Sequence, residues 1–303
     1  MRSAEQSIQR IEYKYSPVMP RCHMSERGEE FPNFEQFIST LEQSDFLQYP
    51  NVMPLKERIA ERHGVGIENV FIGSGSDRVI NALFNALLNP SDIVVTTPYY
   101  FRMYDVYARQ NMATLLNCTD VVDPSVKLAI IANPCSTLGT GAELKEWQCP
   151  VIIDNAYIDF GGTQFDVKSM IEQDKIFTYS FSKGWGGAGA RVGYAIANAE
   201  RIAQVMKFRD MFEITGPSVK FALWLLDNEE SIKVWRAKIL NEKFDLRDIA
   251  IIPQYGNWIY LSQDTYDFAG QCKRDIDIPE LSIGKLLKVS IVDGVRKFIS
   301  ERS

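Results

Sequence analysis

Apolar residues along this chain gather in short unbroken runs, and between the runs they recur every three or four positions. Val70-Phe71-Ile72, Ile93-Val94-Val95, Leu128 to Ala132, Val151-Ile152-Ile153, Ile176 to Tyr179 and Arg191 to Ile196 predict strands, with a shorter one at Thr114-Leu115-Leu116. Short runs that are apolar throughout are buried on both faces, so they predict a mostly parallel sheet covered by helices on either side. The intervening stripes predict the helices. Residues 34–47 carry apolar positions at 34, 37, 38 and 41. A second helix opens on Pro54, runs through Arg62 and stops at Gly64. Val79, Ile80, Leu83, Phe84, Leu87 and Leu88 line one face of a third, which ends before Pro90. Arg102 to Arg109, Glu200 to Phe212, Val219 to Leu226 and Glu229 to Phe244 read as further helices.

The pattern also divides the chain. Residues 1–33, with prolines at 17, 20 and 32, are expected to form an irregular arm that wraps a partner, covers a site or is simply mobile. Residues 34–210 form the large α/β domain. Residues 211–303 form a small α+β domain, with strands near Ile249–Ile252, Trp258–Leu261 and Leu286–Ile291. A last helix is expected to begin at Val295.

Composition narrows the function. With 303 residues, 46% hydrophobic and 24% charged, the chain can bury a large core. A net charge of -6 argues against nonspecific binding to nucleic acid or anionic membranes. The five cysteines are scattered and odd in number, and there are two histidines, so neither a disulfide scaffold nor a metal site is expected. The charged first residues predict no secretory leader, and no apolar run is long enough to span a bilayer. Together these features predict a cytoplasmic protein.

The candidate chemistry lies just past the predicted strand ends, where open α/β sheets bind ligands. Tyr179-Ser180-Phe181-Ser182-Lys183 leads into the glycine-rich stretch Gly184 to Gly189 and then Arg191. A lysine amine can form a Schiff base with an aldehyde. Glycines admit close backbone approach, and Ser180, Ser182 and Arg191 are donors suited to a phosphate. An aldehyde joined to a phosphate describes pyridoxal 5′-phosphate; a plain glycine-rich surface loop is the alternative. Gly73-Ser74-Gly75-Ser76-Asp77 forms a strand–turn–helix junction, with Ser76 expected as the N-cap and Asp77 near the positive helix end. Such a junction is a phosphate cradle or a simple cap.

The ordered set of motifs resembles the fold-type I pyridoxal-phosphate enzymes, specifically the aminotransferase class I/II group that includes histidinol-phosphate aminotransferases. The resemblance runs from about Tyr49 to Leu226 and more weakly to Ile291. It implies a mostly parallel, mixed seven-stranded sheet between helices, with a small carboxyl-terminal domain. It makes Lys183 the Schiff-base lysine and proton carrier, and Arg191, Ser180, Ser182, Gly75, Ser76 and Asp77 the phosphate cup. Asp154, in Asp-Asn-Ala-Tyr, would face the pyridine nitrogen, and Tyr157 would bond the ring's 3′ oxygen. Tyr100 would stack on the ring, with Tyr99 or Phe101 taking its place if the loop is shifted. Tyr49 would reach the phosphate of a neighbouring subunit, which implies a homodimer.

Two positions depart from the family pattern. In Asn133-Pro134-Cys135-Ser136-Thr137-Leu138-Gly139, Ser136 stands where an asparagine usually bonds the ring oxygen. Lys288 stands where an arginine usually grips the substrate carboxylate, and lysine keeps the charge but loses the fork. The expected activity is transfer of an amino group between an amino acid or amine and a keto or aldehyde acceptor, a step in biosynthesis. The alternatives are a decarboxylase or lyase of the threonine-phosphate decarboxylase type, which the changed carboxylate position would suit, and a non-catalytic protein of the same fold.

Overall fold

The computed structural model describes residues 22, 24–117, 124–245, 253–262, 274–276, 286–292 and 295. Among the described residues, seven strands form one sheet: β1 (Val70–Gly73), β2 (Ile93–Thr96), β3 (Thr114–Leu116), β4 (Val126–Ala132), β5 (Val151–Asp154), β6 (Lys175–Ser180) and β7 (Gly193–Ile196). Their order is β1-β7-β6-β5-β4-β2-β3. Only β7 is antiparallel to its neighbours, so every other strand points the same way. The carboxyl ends of six strands and the amino end of β7 therefore share one edge.

Alternate residues of each strand enter opposite layers. Ile130, Ile152 and Ile176 pack on one face with α4 (Gly75–Leu87), α5 (Met103–Gln110) and α7 (Ala199–Val205). Ile131, Ile153 and Phe177 pack on the other with α3 (Met53–His63) and α8 (Gly216–Asp227). Each such side chain contributes about 1.5–3 kcal/mol by leaving water. The mixed, mostly parallel α/β sheet is the expected fold type.

Several boundaries differ from the sequence expectation. Residues 34–47 are two helices, α1 (Phe34–Thr40) and α2 (Ser44–Leu47). The break is held by the Asp45 carboxylate, which accepts the Glu42 N–H at 2.7 Å and pairs with Lys220 at 2.8 Å. The helix from residue 199 stops by Phe208, four residues early. Pro217 opens α8 at its first turn rather than lying between elements. α9 (Glu229–Asp245) leads towards a three-stranded antiparallel sheet of β8 (Trp258–Ser262), β9 (Arg274–Ile276) and β10 (Leu286–Ser290), ordered β8-β10-β9. The expected strand at 249–252 and the helix beyond residue 295 lie outside the described residues.

Candidate active site

The shared sheet edge gathers the chemistry-bearing residues in register. Asp154 lies beside Thr178 across β5 and β6. Gly193 at the start of β7 lies beside Ser180 on one side and Gly73 on the other. One continuous row thus joins the lysine loop, the β1–α4 turn and Asp154.

The phosphate-binding half is a backbone structure. Ser74, not Ser76, is the N-cap of α4, and its side chain makes no capping bond. The turn needs its glycines. Gly75 has φ +78°, and a Cβ there would stand 2.4 Å from an Arg191 guanidinium nitrogen. A Cβ on Gly193 would stand 2.2 Å from the Ser76 nitrogen. Backbone from two elements therefore meets at van der Waals contact, and the first-turn N–H groups of α4 take no bond from the N-cap side chain. Arg191 closes the cup from a left-handed conformation (φ 55°). It donates to the Ser182 hydroxyl at 3.2 Å and to the Ala188 carbonyl at 3.1 Å. Ser180 accepts the Ser182 N–H at 3.1 Å. Asp77 is tied instead to the Tyr107 hydroxyl at 2.5 Å, which fixes α4 to α5. Arg191 precedes β7 instead of opening it.

The other half centres on Asp154, which is 6% exposed. It accepts from the Tyr104 hydroxyl at 2.5 Å, the Thr178 hydroxyl at 3.1 Å and the Ala156 N–H at 3.2 Å. Burial pushes this carboxyl above its ordinary range, and the three donors oppose that shift. Among the described residues no cation pairs with Asp154. A buried carboxylate with neutral donors only, next to an uncapped helix terminus, fits a ligand that brings a positive ring nitrogen and a phosphate.

Lys183 projects from the loop after β6. Its ammonium donates to the Met24 carbonyl at 2.5 Å and lies 5.6 Å from the Tyr157 ring centre. Met24 is thus drawn over the lysine, and Ser25 fixes it there: its N–H donates to the Ser290 hydroxyl at 3.0 Å, and the two hydroxyls share a bond at 2.9 Å. Tyr157 packs edge-on against Trp258 at 5.1 Å. Tyr100 lies parallel to Tyr104, with ring centres 6.3 Å apart.

The small sheet meets this edge at the departing positions. Lys288, 8% exposed, donates to the Ser136 carbonyl and sits 3.9 Å over the Trp258 ring. Ser136 thus meets Lys288 through its backbone. Asn133 anchors the same loop. Its amide donates to Asn155 and the Thr163 carbonyl, both at 2.9 Å, and accepts the N–H groups of Thr163 (2.9 Å) and Ala142 (3.1 Å). Tyr49 stays apart from the cup: it is 78% exposed and stacks on Phe212 at 3.8 Å.

Sequence reasoning missed Tyr104, Thr178 and Met24. Tyr104 lies 50 residues from its partner and resembled ordinary core packing. A tyrosine one helical turn after Tyr100 was the available signal.

Residues 27–249 match the family described as aminotransferase class I and II. The chain is 33% identical to the histidinol-phosphate aminotransferase of Wolinella succinogenes over 249 residues, covering 71% of this chain and 68% of that protein. It is 30% identical to the enzyme of the same name from Christiangramia forsetii over 243 residues, covering 72% and 68%. Its fold matches the crystal structure of histidinol-phosphate aminotransferase from Sinorhizobium meliloti in complex with pyridoxal 5′-phosphate. That match has TM-score 0.82 and 18% identity, and covers 92% of this chain and 88% of the other.

Proposed function

The chain belongs to the aminotransferase class I and II family, and from that premise we propose how its own residues divide the work. The protein is a pyridoxal 5′-phosphate-dependent aminotransferase. When bound, the cofactor supplies an aldehyde for exchange with amines and a ring that withdraws electrons from the substrate's α-carbon. The first-turn N–H groups at Gly75, Ser76 and Asp77, with Ser180, Ser182 and Arg191, hold the phosphate. Asp154 would hold the ring nitrogen's proton in place. Tyr157 would donate to the ring oxygen, and Tyr100 would cover the ring. Lys183 would hold the cofactor through Nζ, and the same atom would take up the substrate's α-proton. Ser136 lines the ring-oxygen side, and Lys288 receives the anionic group of the substrate as a point charge.

The observation that carries this assignment is Asp154, buried at 6% exposure with hydroxyl and amide donors but no described cation. The donor is an amino acid or a primary amine, and histidinol phosphate, after which the relatives are named, heads the panel to be tried. Mixing cofactor-loaded protein with single donors should bleach the cofactor band, and a keto or aldehyde acceptor should restore it. Lys183→Ala should abolish both changes. Release of carbon dioxide without an acceptor would contradict amino transfer.

A homodimer is proposed as the working form. Exposed apolar side chains at Phe46, Leu47, Tyr49, Met211 and Phe212 support it, and Tyr49 would then serve the partner's phosphate cup. Light scattering should give twice the chain mass, and Tyr49→Ala should weaken cofactor binding. A monomer with full activity would contradict this. No helix of the described residues is long and apolar enough to cross a membrane. A cytoplasmic location is proposed, supported by the unbridged thiols of Cys135 and Cys149.

A further inference from the structure

The lysine loop is held from behind by charge. Gly184 follows Lys183 directly, and a Cβ there would lie 2.1 Å from the Asp159 Cβ and 2.8 Å from its Oδ2. The Asp159 side chain therefore sits against the backbone that carries the lysine. Asp159 is in turn held by Arg236 of α9 at 2.9 Å, and both side chains are largely buried, at 16% and 11% exposure. Trp185, two residues past the lysine and also buried, lies between two guanidiniums: Arg62 at 5.0 Å and Arg236 at 5.7 Å from its ring centre. Arg62 makes a two-pronged bond, 2.6 and 2.9 Å, to Glu229 at the first residue of α9.

Part of the loop is packed: Phe181 and Trp185 are buried in the core, with ring centres 5.3 Å apart. Beside it, a cavity of about 320 Å³ opens between Arg62, Asp159, Tyr179, Trp185 and Tyr194. Where the loop borders this cavity at Trp185, fixed ionic contacts add to the support that packed side chains give elsewhere. Burial pushes the Asp159 carboxyl above its ordinary range, while Arg236 and then Arg62 oppose that shift and favour the ionised form.

We propose that Asp159 and Arg236 are positioning residues for Lys183, a buried ion pair through which α9 sets the aim of the catalytic amine. The inference rests on the role given to Lys183 above. Neither residue touches the phosphate cup or Asp154, so the pair governs where the amine points more than whether the cofactor binds. Loss of aim acts on the chemical step, where a displacement of about 1 Å can cost about a hundredfold.

The test compares cofactor-loaded wild type with Asp159→Asn, Arg236→Met and Arg236→Lys. It measures kcat, KM, thermal melting and the pH midpoint of the Lys183-dependent absorbance band. Asp159→Asn and Arg236→Met are expected to lower kcat about tenfold or more with KM within about threefold. They should move the absorbance midpoint by about half a pH unit or more. Arg236→Lys, which keeps the charge, should recover most of both. If Asp159→Asn does not fold, the Arg236→Met and Arg236→Lys pair carries the same comparison. Variants that melt earlier but keep the wild-type kcat and midpoint would overturn the proposal. A wild type without any Lys183-dependent band would instead overturn the assignment of Lys183.

Discussion

Replacing Tyr104 with phenylalanine removes one hydroxyl and keeps the ring. The hydroxyl donates to Asp154 Oδ2 at 2.5 Å, and both residues are buried, Tyr104 completely. A hydrogen bond to a charged acceptor contributes about 1.5–3 kcal/mol. Burial already favours the protonated acid here, and Thr178 and the Ala156 N–H would remain as the only opposing donors. Tyr104→Phe should therefore push the Asp154 carboxyl further upwards. Where the empty variant holds that proton, binding a positively charged ring nitrogen must first displace it. At about 1.4 kcal/mol per factor of ten, the lost bond translates to a roughly ten- to hundredfold weaker affinity for pyridoxal phosphate. The sign fixes the pH profile. The deficit should be largest at acid pH and shrink as pH rises and Asp154 ionises in the variant too. Titration calorimetry across pH reads this directly, and a cofactor analogue with carbon in place of the ring nitrogen should bind both proteins alike. An affinity loss that is independent of pH, or equal for the analogue, would refute the reasoning.

Other consequences follow from single contacts. Gly193→Ala puts a Cβ 2.2 Å from the Ser76 nitrogen, so two backbones must separate; cofactor affinity should fall more than about tenfold and stability by about 1–3 kcal/mol, read by calorimetry and urea melts. His63 is held neutral by burial, with its pKa lowered to about 4, and shares a 3.0 Å hydrogen bond with Tyr194. A depressed folded-state value means its contribution is complete above pH about 6.5 and drains as pH falls towards 4, by roughly 3 kcal/mol. Urea melts at several pH values should show that loss in wild type and a flatter profile in His63→Gln; parallel profiles would count against it.

The fold was legible because its central strands are apolar at every position, as in Leu128 to Ala132 and Val151 to Ile153, and because Pro54 and Gly64 mark helix ends by backbone chemistry. The lysine loop and Asp154 were legible because their residue types are rare in such an order. The reversed direction of β7 was not, since an apolar run carries no sign of its direction. Arg274-Asp275-Ile276 shows no two-residue period, so β9 went unpredicted. Ser74 and Ser76 are equal as caps by composition, and only the fit of Gly75 against Arg191 separates them. Tyr104, Asp159 and Arg236 act across 50 to 77 residues of chain, a range over which periodicity is silent.

The central claim is that one amine, Lys183, carries the cofactor. Reducing the loaded protein with borohydride and mapping its peptides should place the phosphopyridoxyl group on Lys183 and leave Lys183→Ala unlabelled. A label on another lysine, or none in the wild type, would contradict it.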